Sequence, residues 1–207
     1  YTDTEALQNR DLTLAPFTRQ YYADHDIDFC KSRRTWIYAL TMAGNLLHYQ
    51  RYGDLARFMC FNNLCNTSGQ SCIEVSKQET ILTASGILLK WMSRSPAAWP
   101  LLVEGYTPDS LKSVELQVNW NTDRTQLIVD LVNKCDQAAL ITLDFSRLGR
   151  HFHAFRELCL IASDGTVQET IRSHGNIREE TRCGDISLGD PHTFEARPFS
   201  FTEIILS

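Results

Sequence analysis

Apolar and polar positions follow two different periods along this chain, and the change falls near residue 105. Before it, Trp36, Ala39, Leu40, Ala43 and Leu47 recur at helical spacing. That stripe predicts a helix over 33–51, stopped by Gly53. The run Leu55-Ala-Arg-Phe-Met-Cys-Phe61 is short, mostly apolar and bounded by polar residues, which suits a strand buried in a parallel sheet. Ser76-Lys-Gln-Glu79 has the spacing of a capping box and predicts a second helix carrying Ile81, Leu82, Leu88, Leu89 and Trp91, ending before Pro96. Pro96-Ala-Ala-Trp-Pro100 reads as a connection.

From about 112 the period becomes two. Val114, Leu116, Val118 and Trp120 alternate with polar residues, Asn121-Thr-Asp-Arg124 is a turn, and Leu127, Val129 and Leu131 resume the alternation. Leu140 to Phe145 repeat it less cleanly. Further strands are expected near 155–162 and 198–206, with a turn at Asp164-Gly165. The fold class predicted is therefore α/β plus all-β: helices and a buried parallel strand over 1–105, then a β-sandwich over 106–207. A mixed half followed by an all-β half is the order expected of the end of a larger two-domain protein.

Charge removes some functions. The formal net charge is −5 with both signs scattered and no basic stripe, which argues against a nucleic-acid partner. No apolar run approaches the ~20 residues of a membrane-spanning helix. The seven cysteines are many for a cytosolic chain. Cys65 and Cys72 flank a Thr-, Ser- and Gly-containing loop that a disulfide would close, and Asn66-Thr67-Ser68 in that loop is a glycosylation sequon. Together these favour a secreted protein or one of a lysosome- or vacuole-like compartment.

No cofactor or metal is expected. Asp24, Asp26 and Asp28 begin like a calcium loop, but Phe29 and Thr35 replace its glycine and closing glutamate. His151 and His153 lack a third ligand nearby, and no Cys-x-x-Cys pair is present. Trp36, Trp91 and Trp99 are expected as core or interface anchors, whereas Trp120 would be a sugar platform if exposed.

The ordered features then carry a resemblance. Glu5 precedes a loop and a helix containing Ala39-Leu40, Ala43, Arg51 and Asp54. After these come the apolar run 55–61, Asn63-Leu-Cys-Asn66, a second helix, and a closing Ala196-Arg-Pro-Phe-Ser-Phe-Thr-Glu-Ile-Ile-Leu206. This resembles the C-terminal half of family 51 glycoside hydrolases, the α-L-arabinofuranosidase group. The resemblance implies the C-terminal part of a (β/α)8 barrel over 1–105 followed by a jelly-roll-like β-sandwich over 106–207, with Glu5 as the catalytic nucleophile and Asn63 contacting the sugar. It also implies a glycan substrate and an N-terminal segment or companion chain supplying the acid/base carboxylate. The chain departs from the family in three places. Ala6-Leu-Gln-Asn9 stands where the family is Trp-rich, Asn63 replaces a glutamine, and Gly44-Asn45-Leu46 lacks the carboxylate of the acid/base motif. The expected function is thus a retaining glycosidase cleaving non-reducing-end α-L-arabinofuranosyl residues. The alternatives are a non-catalytic glycoprotein subunit or carbohydrate-binding module of the same architecture, and a heparanase-like or endoglucanase-like retaining hydrolase.

Overall fold

The computed structural model describes residues 34–53, 64–66, 71–105, 114–186 and 191–207. Helix α1 (Trp36–Gln50) forms where the apolar stripe predicts it. Its first amides are satisfied by backbone: Trp36 N–H donates to Val167 O at 2.7 Å and Ile37 N–H to Gly165 O at 2.9 Å. The Asp164-Gly165 turn therefore doubles as the cap of this helix. Asp164 fixes that turn by accepting from Thr166 N–H at 2.7 Å.

The capping-box expectation is overturned. Ser76 and Glu79 close the hairpin between β1 (Ile73–Val75) and β2 (Thr80–Leu82), with the Ser76 hydroxyl accepting from Gln78 and Glu79 N–H at 3.1 and 3.0 Å. The same Ser-to-backbone bonds that cap a helix also close a turn, so the spacing alone did not choose. Ile81 and Leu82 lie on β2, and helix α2 (Ala84–Met92) starts later. Its N-cap is Thr83, whose side chain accepts from Gly86 N–H at 3.3 Å and donates to Ser71 O.

Pro96 to Pro100 is likewise not a bare connection. Strand β3 (Ala97–Leu101) pairs antiparallel with β4 (Val114–Asn121), with a register shift between Ala97 and Trp99. An edge position explains how a strand tolerates Pro100. It also means that the sheet takes a strand from the segment expected to belong to the barrel. Then follow β5 (Leu127–Asn133), β6 (Ala139–Leu143), β7 (Ala154–Ile161), β8 (Arg178–Asp185), β9 (His192–Ala196) and β10 (Ser200–Leu206). Six strands make one antiparallel sheet in the order β3-β4-β5-β10-β7-β8, and β6 pairs with β9 separately.

Side-chain parity divides the large sheet into two covered faces. Val118, Leu127, Val129, Leu131, Ile204 and Leu206 point toward Ala139, Phe194 and Ala196 of the β6–β9 pair. Val132, Leu160 and Phe201 point the other way and pack with Trp36, Leu40, Leu47 and Leu88 of the helices. Burial on both faces explains why every residue of β5 and β10 is buried. The edge strand β8 reads Arg-Glu-Glu-Thr-Arg-Cys-Gly-Asp, charged enough to resist pairing with another chain.

Candidate functional site

Glu5 and Asn63 lie outside the described residues, as does the run 55–61. The neighbouring segment 64–66 is described. Cys65 bridges in parallel to Ile73, and the backbone of Leu64 accepts from Cys72 and Ile73 N–H at 3.0 Å each. Asn66 is exposed and adopts φ +50°. Its side chain mimics a strand partner: Oδ1 accepts from Val75 N–H at 2.7 Å and Nδ2 donates to Val75 O at 2.9 Å. The amide that a glycan would modify thus already fastens this segment to β1.

The disulfide expected between Cys65 and Cys72 is not formed; both are thiols. The register gives the reason. Cys65 stands opposite Ile73 rather than Cys72, so Cys65 is exposed while Cys72 is buried. Burial pushes the Cys72 thiol up to about 11, which makes it a poor nucleophile for oxidation.

A polar row that the sequence reading missed crosses the helix-covered face of the sheet. Gln117, Asp130 and Glu203 are successive cross-strand partners on β4, β5 and β10. They are 0%, 2% and 5% exposed, so they sit beneath the helices rather than in a cleft. Burial, then the charge of Glu203, holds the Asp130 carboxyl well above the usual carboxylate range. Burial also raises Glu203, against a hydrogen bond from Ser95 and the charge of Arg156. Asp130 Oδ1 and the nearby Asn119 Nδ2 have no hydrogen-bond partner. Perturbed carboxyl pairs are a mark of active sites, but no sugar reaches this one. The signal in the sequence was a carboxylate inside each of two mostly apolar runs, 127–132 and 201–206.

A second cluster occupies the exposed rim at the β4–β5 turn. Trp99 and Trp120 are cross-strand partners, so their rings lie on one face. Trp99, expected as an anchor, is 49% exposed. Trp120, the expected platform, is half-buried against Phe152 with ring centroids 6.2 Å apart. The Arg124 guanidinium lies 5.5 Å from the Trp99 ring centre and that of Arg150 lies 5.2 Å from Trp120. Among the described residues, no group of three His, Cys, Asp or Glu side chains is arranged to hold a metal ion. No described helix is long and apolar enough to cross a membrane.

Solved structures share this fold. An arabinose-bound α-L-arabinofuranosidase, MgGH51, superposes with a TM-score of 0.69 at 14% identity, over 84% of this chain and 28% of that one. The α-L-arabinofuranosidase of Thermotoga maritima, in complex with arabinose, gives 0.64 at 14% identity, over 82% of this chain and 37% of its own. AbfB, a family 51 α-L-arabinofuranosidase from Bifidobacterium longum, gives 0.62 at 14% identity over 84% and 35%. The fold is one found in family 51 arabinofuranosidases. The resemblance seen in the sequence therefore holds at the level of fold, and the chain spans about a third of the length of these enzymes. No family profile and no curated protein sequence matches the chain.

Proposed function

We propose that this chain is the C-terminal portion of a retaining glycoside hydrolase acting on non-reducing-end α-L-arabinofuranosyl residues. The observation that carries the reading is the shared fold with arabinofuranosidases over more than four fifths of the chain. In this reading, the part of 1–105 that precedes β3 supplies the end of a (β/α)8 barrel and Glu5 is its nucleophile. The Glu5 carboxylate attacks the anomeric carbon as the glycosidic bond breaks, forming a covalent glycosyl-enzyme. A second carboxyl group, about 5 Å away and carried by an N-terminal segment or companion chain, protonates the leaving oxygen and then deprotonates the incoming water. Asn63 hydrogen-bonds the sugar. The polar row at Asp130 and Glu203 takes no part, because it is sealed beneath the helices.

The test is hydrolysis of 4-nitrophenyl α-L-arabinofuranoside by the native protein and its Glu5→Gln variant. The expected result is a fall in kcat of at least about a thousandfold. An unchanged rate would exclude Glu5 as nucleophile. Absence of hydrolysis by the unmodified protein would favour a non-catalytic glycan-binding subunit instead.

A further inference from the structure

The rim at the β4–β5 turn is built more rigidly than an ordinary surface loop. Asn121 Oδ1 accepts from Thr125 N–H at 2.8 Å and Gln126 N–H at 3.1 Å, and Arg124 N–H donates to Asn121 O at 3.0 Å. Trp99 Nε1–H donates to Thr122 O at 3.2 Å, tying the exposed indole to the turn. Arg124 sits at φ +56°, a backbone region that costs a non-glycine residue about 1 kcal/mol and is found where the surrounding structure imposes it. Its carbonyl accepts from Nη1 of Arg150, which ties the second arginine to the turn.

Arg34, Arg147, Arg182 and Arg197 each close an ion pair with a glutamate, whereas Arg124 and Arg150 have no carboxylate partner among the described residues. A guanidinium held over an indole keeps N–H donors for a ligand, and its planar fork matches a carboxylate; Arg150 uses Nη1 on the Arg124 carbonyl and has its other N–H groups left for this. The exposed indole beside it offers a flat apolar surface of the kind that packs against the C–H face of a pyranose ring.

We propose that Trp99, Trp120, Arg124 and Arg150 form an accessory binding site for a polysaccharide carrying uronic-acid residues. The exposed Trp99 indole takes a sugar ring, Trp120 seats Arg150, and the two guanidiniums take the carboxylates. Two cations on a chain of net charge −5 suit spaced carboxylates better than the dense phosphates of nucleic acid. The site needs neither Glu5 nor a companion segment, so it stands or falls apart from the catalytic proposal.

The experiment is calorimetric titration of the native protein with a tetragalacturonate, its fully methyl-esterified form and a neutral xylotetraose. Arg124→Gly combined with Arg150→Gln removes both charges and relieves the backbone at position 124, so the variant should fold. The expected result is binding of the tetragalacturonate that weakens at least tenfold on esterification, in the double variant and in Trp99→Ala. Absence of binding at millimolar ligand would overturn the proposal. So would equal affinity for the neutral sugar, or retained binding in the double variant. Equal or tighter binding of an oligoglutamate would show the rim to be an acidic-peptide site and overturn the glycan assignment.

Discussion

Trp36 opens helix α1 and donates its indole N–H to the carbonyl of Phe199, 163 residues later, at 2.6 Å. Both residues are buried in one cluster, and Phe199 adopts φ +43° at the entry to β10. One hydrogen bond thus joins the helical layer to the central strand of the sheet. Replacing Trp36 with Phe keeps most of the apolar bulk and removes the donor. The expected loss is about 1–3 kcal/mol of unfolding free energy, read by chemical denaturation.

Gly86 and Gly44 face different neighbours, and their alanine variants should rank accordingly. A Cβ on Gly86 would lie 1.9 Å from the backbone oxygen of Cys72, and that backbone is held by Leu64 and Thr83. A Cβ on Gly44 would lie 2.5 Å from Oε1 of Glu115, a side chain able to move, although Lys134 anchors it. Gly86→Ala is expected to cost about 3 kcal/mol or more and Gly44→Ala about 1–2 kcal/mol, measured by thermal and urea unfolding.

The buried carboxyls on β5 and β10 make stability depend on pH in an uncommon direction. Asp130 and Glu203 both have raised values, so the folded protein holds protons that the unfolded chain releases. Ser95 and Arg156 oppose the shift at Glu203, Arg51 is engaged with Gln117, and no cation among the described residues pairs with Asp130. Their contribution is complete below the ordinary carboxyl value of about 4 and is lost as pH rises through the raised folded values. Asp130→Asn should flatten this decline and stabilise the protein at neutral pH. Unfolding midpoints across pH 4 to 8 would show it, and an unchanged slope would count against the pair.

Glu157 is 2% exposed and lies between Arg182 and Arg197, which reach its two oxygens. Arg197 also pairs with Glu180, so it links β7, β8 and the approach to β10. Arg197→Met leaves a buried carboxylate held from one side only. The expected cost is about 3 kcal/mol, larger than for Arg147→Met, whose bridge to Glu104 is exposed and worth at most about 1 kcal/mol. Parallel denaturation of the two variants checks the ranking.

Helix α1 and strands β4 and β5 were legible because their apolar residues repeat with the period of the element they form, and β7 and β10 as mostly apolar segments of strand length. Strand β8 was not, since an edge strand with a solvated face carries Arg178, Glu179, Glu180 and Arg182 instead of an apolar alternation. β9 was too short, at 5 residues, to display a period. Ser76 and Glu79 misled because helix caps and hairpin turns use the same hydroxyl-to-amide bonds. The polar row was invisible because cross-strand register, unlike periodicity, is a property of three segments at once: residues 117, 130 and 203 meet only in the folded sheet. The Trp99–Arg124 contact is hidden for the same reason, since Pro96 to Pro100 carries no strand period and reads as a connection.

The central claim is that Glu5 of a family 51-like hydrolase forms a covalent bond to the sugar. The most direct measurement is peptide mass spectrometry of the native protein after incubation with a slow-turnover fluorinated arabinofuranoside. The account predicts a glycosyl adduct on the peptide containing Glu5, lost slowly in buffer and absent in Glu5→Gln. An adduct on another carboxylate of the hydrolysing protein would contradict it.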